Sequence, residues 1–359
     1  MYGESMKKLR LPRRKKAQQE PEASERITNE TVAEHRERIL AGGRRFKYPV
    51  QYAKHRLVIN TIIISLVALI AIAIVVWWQL YPAQNSSTFF YRITRVLPLP
   101  AASIDGFPVR YSDYLASFRS QEHYLQFKEG VDLYSKENKS QLNFIKRQAL
   151  TDAITDSYAA KLADSLGIHI SKQQIDDAIL RQRQSRDGVT SQEAYDAIIL
   201  DHFNWTPDEA REVTARKLLR QEVADEVDTV ATKQRDEVVE KLKTEQDFDK
   251  VVASISPVDK ARVESSVTPL VPRNNQDGGL AEAASKLEVG KVSAPFRSTT
   301  GDGYYIVKPI QKDGDNRISY AYIKIPLTVF QKQLDKVKAD HRLVEYIDIP
   351  EVKSSIPTQ

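Results

Sequence analysis

Apolar and polar positions follow three different patterns along this chain of 359 residues. Residues 57–78, LVINTIIISLVALIAIAIVVWW, contain no charged side chain. At 1.5 Å per residue, about 22 residues make roughly 33 Å of helix, enough for a bilayer core. Trp77, Trp78 and Tyr81 stand at one end, where interfacial aromatic residues belong. A core helix seldom runs this far without a charged position, and a cleaved signal has a short charged region before an apolar stretch of about 7–15 residues. The pattern predicts one membrane-spanning helix over 57–80, anchored by Leu57, Trp77, Trp78 and Tyr81.

Residues 110–228 follow a helical period. In NFIKRQALTDAITDSYAAKLADSLG, the positions Phe144, Ala149, Leu150, Ile154, Ala159, Leu162 and Leu166 predict one amphipathic helix, stopped by Gly167. Ser171 and Ser191 read as caps of the next two helices. Thr206 opens a third, with Pro207 at its first position and Asp208 and Glu209 in its first turn. Upstream, 82–90 reads as a linker, and Arg92–Leu99 and Ala101–Val109 as extended runs near an Asp105-Gly106 turn.

Beyond 229 the pattern mixes. TKQRDEVVEKLKTEQ reads as a helix, followed by DFDKVVASISP, a Pro/Asn/Gly stretch and a short helix LAEAASKL. VSAPFRS, GYYIVKPI and RISYAYIKI read as strands, the last two joined by a turn over 312–316. VFQKQLDKVKADHRLVEYI reads as a helix with an apolar stripe of Val329, Phe330, Leu334, Val337 and Leu343, followed by a short extended tail. Ahead of the span, 1–43 is polar and expected to be largely disordered, apart from a short helix in TNETVAEHRERIL capped by Thr28 or Asn29. The expected class is mainly α with one α+β domain.

Charge adds a direction. The net charge is +5, but residues 1–56 hold 15 Lys/Arg against 7 Asp/Glu, leaving the rest at −3. Arg44, Arg45, Lys47, Lys54 and Arg56 precede the span, so the N-terminus is expected in the cytoplasm and the C-terminal bulk outside it. These residues either set orientation only or also touch anionic membrane lipid. A basic excess confined to one tail argues against nucleic acid as a partner. There is no cysteine, hence no disulfide, Cys metal site or thiol nucleophile. The six histidines, at 35, 55, 123, 169, 202 and 341, lack metal-ligand spacing, and no Gly-x-Ser-x-Gly, P-loop or GxGxxG occurs. No metal and no cofactor is expected.

AASIDGFPVRYSDYLASF, residues 101–118, resembles the opening of the SurA/PpiD/PrsA family of extracytoplasmic folding factors, with Ile104, Asp105, Gly106 and Val109 on the family's strand–turn pattern. The resemblance continues through Ile154, Leu162, Gly167, Ile168, Ser171, Ile175 and Ile179, and FNWTPDEAREVTARKLLRQEVADE is similar to the next family helix. Residues 233–310 resemble a parvulin-type prolyl isomerase domain, with three departures. Tyr305 stands where the family places an active-site histidine. Two residues are added between Ser298 and Gly303. No histidine lies between 203 and 340. The usual first strand is missing before 233, and YAYIKI resembles it, with Tyr322 at the histidine position. Residues 318–325 either fill that central slot, as in a circular permutant, or add an edge strand.

The resemblance implies a bacterial, single-pass cell-membrane protein with a cytoplasmic N-terminus. Its expected layout is a basic tail over 1–56, a span over 57–80, a SurA-N-like helical chaperone domain over 91–228 and a parvulin-like domain over 229–325. A C-terminal helix and strand over 326–359 would pack back on the chaperone domain. Implied partners are unfolded or translocating polypeptides, membrane lipid and the secretion translocon. The degenerate catalytic positions are Tyr305, Tyr322 and Ser298; Leu280, Phe296, Tyr305 and Tyr322 are the implied substrate-binding set. Prolyl isomerisation crosses a barrier of about 18–20 kcal/mol without a covalent intermediate. Without imidazoles to orient the pocket, weak or absent activity is expected. An active isomerase with a remodelled site and a non-catalytic scaffold for one partner are the alternatives.

Overall fold

The structure, a computed structural model, describes residues 28–47, 49–185, 188–258, 262–314 and 316–350; the expected disorder of the first 27 residues lies outside them. Residues up to Val75 and residues from Val76 onward form two compact units. In the first, the Thr28 carbonyl accepts the Val32 amide, so Thr28 caps α1 (Asn29–Lys47). This helix continues through Gly42-Gly43, well past the short segment expected. Pro49 then opens α2 (Pro49–Leu80), whose stretch His55–Leu80 is long and apolar enough to cross a membrane.

The second unit departs first from expectation at its entry. Residues 88–96 form α3 (Thr88–Val96), where a linker and an extended run were expected. TFFYRITRV is rich in β-favouring residues, but helical spacing lets Tyr91 and Thr94 bury together. The expected hairpin is β1 (Pro100–Ile104) with β2 (Phe107–Arg110), turning at Asp105 (φ 50°) and Gly106 (φ 77°). α4 (Tyr111–His123) runs into a π-helical turn at Tyr124–Lys128.

α5 (Lys139–Leu166) is the central helix, buried through Ile145, Ala149, Leu150, Ala153, Ile154 and Tyr158. Phe144 and Leu166, assigned to its apolar stripe, are exposed. They sit at its two ends, where the stripe has turned off the core. Gly167, at φ 69°, ends it in the left-handed conformation that favours glycine. α6 (Lys172–Arg183), a short ribbon of β3 (Gln184–Ser185) and β4 (Gly188–Val189), α7 (Gln192–Phe203) and α8 (Pro207–Val227) follow. Ser171 and Thr206 form full capping boxes with Gln174 and Glu209, and Ser191 accepts the Ala194 amide.

The next segment is a sheet covered on both faces. α9 (Thr229–Leu242) and α10 (Phe248–Ala253) precede β5 (Glu264–Val267), β6 (Val271–Pro272) and α11 (Leu280–Ser285). β7 (Phe296–Arg297), β8 (Gly303–Lys312) and β9 (Arg317–Pro326) complete it in the order β5-β9-β8-β7, with β6 also on β9. β8 and β9 form a long antiparallel hairpin, from Gly303 opposite Pro326 to Lys312 opposite Ile318. β9 has neighbours on both sides, so it is an inner strand and not an added edge. Period-2 alternation sends Tyr304, Ile306, Ile323 and Ile325 toward α9 and α10. Tyr305, Val307, Ile318 and Tyr320 face α11.

The chain then returns to the helices. α12 (Val329–Ala339) stops well short of the helix expected through Ile347, and His341 turns at φ 55° into β10 (Leu343–Glu345). β10 pairs with β1, Ser103 opposite Val344. Phe330, Leu334 and Val337 bury in the same core as α5, and the ring centroids of Phe330 and Tyr158 are 5.7 Å apart. The helical core is thus closed by the last segment of the described chain. Both crossings between helices and sheet meet at Asp228, which is fully buried. One oxygen accepts the Ala231 amide (2.8 Å); the other accepts those of Thr328 (2.7 Å) and Val329 (3.0 Å).

Candidate functional site

The sheet face under α11 gathers Leu280, Phe296, Ser298, Tyr305 and Tyr322. Strand register explains the grouping. Phe296 lies opposite Tyr305, and Val307 opposite Tyr322, so the two tyrosines are diagonal neighbours on one face. Their ring centroids are 5.9 Å apart and tilted by 50°. Tyr320 continues the row, 6.3 Å from Tyr322. Leu280 from α11 covers it and is itself only 4% exposed. Tyr305 and Ser298 are buried, while Phe296 and Tyr322 are half-buried.

The polar groups of this face satisfy one another through Asp302. The Tyr305 hydroxyl donates to Asp302 Oδ2 at 2.8 Å, and Lys324 Nζ reaches the same oxygen at 2.6 Å. Ser298 and Thr300 donate to Asp302 Oδ1, both at 2.6 Å. Burial pushes the Asp302 carboxyl up, but the Lys324 ammonium and the three hydroxyls outweigh it and hold the group well below the usual carboxylate range. Burial, then the hydrogen bond to anionic Asp302, pushes the Tyr305 hydroxyl up to about 12. Tyr320 behaves alike: its hydroxyl donates to Asp277 Oδ2 at 2.7 Å, and burial with that carboxylate raises it. Asp277 also accepts the Ala281 amide in the first turn of α11.

Such a face can hold a fixed shape. It offers no imidazole. Its tyrosine hydroxyls at 305 and 320 are committed as donors to carboxylates, so either can donate to a substrate amide only by breaking a charge-assisted hydrogen bond. Of the histidines in the helical region, His123 contacts the Asp201 carbonyl and His202 that of Ile198. Among the described residues no cluster of His, Asp or Glu has the arrangement of a metal site.

Three members of the Asp302 network, Thr300, Asp302 and Lys324, escape sequence reasoning. Their signals are present: Thr300 and Asp302 lie in the lengthened stretch between Ser298 and Gly303, and Lys324 shares the period-2 face of Tyr322. The lengthened loop has a second task. The Thr299 carbonyl accepts a hydrogen bond from Gln221 of α8 at 3.0 Å, and Gly301 (φ 77°) packs so closely on Gln221 that a Cβ there would lie 2.4 Å from its Cγ. Of the anchor residues, Leu57, Trp77 and Trp78 are exposed. Tyr81 instead donates to the Pro100 carbonyl at 2.8 Å and packs edge-on against Tyr111, inside the second unit's core.

Comparison with known families finds two matches. Residues 53–224 match the SurA-like N-terminal domain, and residues 218–311 match the PPIC-type PPIASE (peptidyl-prolyl isomerase) domain. The second match ends before β9, so an inner strand of the sheet lies outside it. No curated protein matches the chain. The two domains in this order make a SurA/PpiD/PrsA-like chaperone–isomerase architecture.

Proposed function

We propose, for a chain of SurA/PpiD/PrsA-like chaperone–isomerase architecture, that it is a membrane-anchored folding factor. It holds unfolded or newly translocated polypeptides outside the cytoplasm, beside the secretion translocon, and its parvulin-like domain is weak or inactive as an isomerase. The observation that carries the reading is the Tyr305–Tyr322 face: no histidine, a buried Leu280 over it, and an Asp302 that takes up the hydroxyls of Ser298 and Tyr305. β9 fills the inner slot beside β8, so the sheet is complete without a strand before α9. The apolar stretch His55–Leu80 supports the anchor, and the basic residues before it support a cytoplasmic N-terminus.

The test is a paired assay on the full chain in detergent. Suppression of aggregation of a proline-free unfolded client is expected, together with a prolyl-peptide isomerisation rate at the uncatalysed level. A rate typical of parvulins would overturn the inactive-domain reading, and no suppression would overturn the chaperone reading. The match to the PPIC-type domain favours one second reading, an isomerase with a remodelled site; in that case Tyr305→Phe should lower the rate.

A further inference from the structure

A cavity of about 270 Å³ lies where α3, α4 and the α7–α8 turn meet. Its apolar wall is Tyr91, Leu200, Phe203 and Trp205. The last two arise from one tight reversal: Asn204 ends α7 at φ 54°, and the Thr206 capping box starts α8. Phe203 and Trp205, on either side, stack with centroids 4.9 Å apart. The wall is not sealed, since Phe203 is 37% and Leu200 51% exposed.

Charge distinguishes this cavity from an ordinary surface dent. Arg92, Arg95 and Arg119 line it against the single carboxylate of Glu209. Arg95 is engaged by Glu209 (3.4 Å) and Glu212 (2.6 Å). Arg119 donates to the Ser86 carbonyl (2.5 Å) and Thr88 Oγ1 (2.9 Å) and lies over the Tyr91 ring, 5.3 Å from its centroid. Neither Arg119 nor the exposed Arg92 has a carboxylate partner among the described residues. The three guanidinium groups thus outnumber the two carboxylates by one, beside an open aromatic wall. A carboxylate next to an apolar side chain is the chemistry that complements both.

We propose that this cavity recognises client chains, taking a polypeptide segment in which an aromatic side chain neighbours a carboxylate. The aromatic ring would stack on Phe203 and Trp205 while Arg92 and Arg119 receive the carboxylate. The proposal rests on the chaperone reading above and locates its binding site. The carboxylate comes either from an Asp or Glu side chain or from a chain terminus.

The experiment uses the full chain in lipid nanodiscs and three fluorescein-labelled Gly/Ser-rich decapeptides. One carries a central Phe-Asp with an amidated end, one a central Phe-Lys with an amidated end, and one ends in Phe with a free carboxylate. Anisotropy should show at least one acid-bearing peptide binding about tenfold more tightly than the Phe-Lys peptide. Arg92→Glu, at an exposed side chain, should abolish or reverse that preference, and the acid-bearing peptide that loses more identifies the carboxylate source. Phe203→Ser should weaken all three. A preference unchanged in Arg92→Glu, or no preference in the wild type, overturns the site. Aggregation suppression by the same samples separates the two levels: if it persists while the preference is absent, the site is wrong and the chaperone reading stands. If it is absent, both fall.

Discussion

The sheet face around Tyr305 and the cavity around Trp205 hold the same kinds of groups, aromatic rings beside charges, in opposite states. Under α11, the hydroxyls of Tyr305 and Ser298 and the Lys324 ammonium converge on Asp302. Between α3 and α8, two arginines without carboxylate partners border rings that solvent reaches. Residue type alone would favour the first as the working site, because it matches an isomerase pattern. Recognition needs polar groups that are free to bind something else. On that criterion we place recognition in the helical cavity, because Tyr305 and Ser298 are committed to Asp302.

The largest expected effect lies at Asp228, where the helices and the sheet cross. Asp228→Ala leaves the buried amide of Ala231 and the half-buried amides of Thr328 and Val329 without their acceptor. Charge-assisted hydrogen bonds contribute about 1.5–3 kcal/mol each, so a loss of roughly 3 kcal/mol or more is expected in urea unfolding. Asp228→Asn, keeping one acceptor oxygen, should fall between. If Asp228→Ala loses less than about 1 kcal/mol, the crossings between helices and sheet are fixed by packing alone.

A second prediction opens the closed face. Burial raises Tyr305 most, and the Asp302 anion adds to it. Asp302→Asn removes the second cause, so the Tyr305 ionisation should drop from about 12 part of the way toward the ordinary 10, read by ultraviolet titration against Tyr305→Phe. The acid limb gives the matching sign. Asp302 binds its proton less readily folded than unfolded, so its stabilising contribution is present above the ordinary carboxylate range and is lost as pH falls below about 4. Asp302→Asn should therefore lower stability at pH 7–9, where the contribution is fully present, and flatten the fall of stability below about pH 4. An unmoved Tyr305 titration would mean that burial alone raises it. The contrast between the two surfaces would then rest on shape and not on committed donors.

Much of this was legible in the residues. The capped helices after Ser171, Ser191 and Thr206, the stop at Gly167 and the β8–β9 hairpin all follow from local chemistry. Three features were not. Thr88–Val96 looks extended because its aromatic and β-branched residues favour strands, and only a distant partner surface makes it a helix. Leu80 and Tyr81 read as the end of a membrane span. Yet Leu80 is fully buried and Tyr81 bonds Pro100, so a soluble fragment starting at residue 85 would cut into the core. Leu80→Ala should therefore cost about 2–5 kcal/mol. The two surfaces themselves were legible only in part. Tyr305 and Tyr322 carry a family pattern, whereas Arg92, Arg119 and Trp205 come from α3, α4 and the α7–α8 turn, which only the fold brings together.

The smallest expected effect concerns how firmly the closed face is docked. Arg297, beside Phe296 on β7, reaches α8, binding Glu222 at 2.7 Å and Asp225 at 3.1 Å, while Tyr304 donates to the other oxygen of Asp225. The Arg297 side chain is 44% exposed, so solvent screens it, and Arg297→Ala should cost no more than about 1 kcal/mol. Raising salt from 0.05 to 0.5 M should shrink that cost further, because screening shortens from roughly 14 Å to about 4 Å. A double-mutant cycle with Glu222→Ala isolates the pair. A coupling near zero would leave Gln221, Gly301 and the Tyr304–Asp225 hydrogen bond as the dock, all inside or beside the lengthened loop. A coupling well above 1 kcal/mol would instead make Arg297 the joint, and its loss should then loosen the Asp302 network enough to move the Tyr305 titration as well.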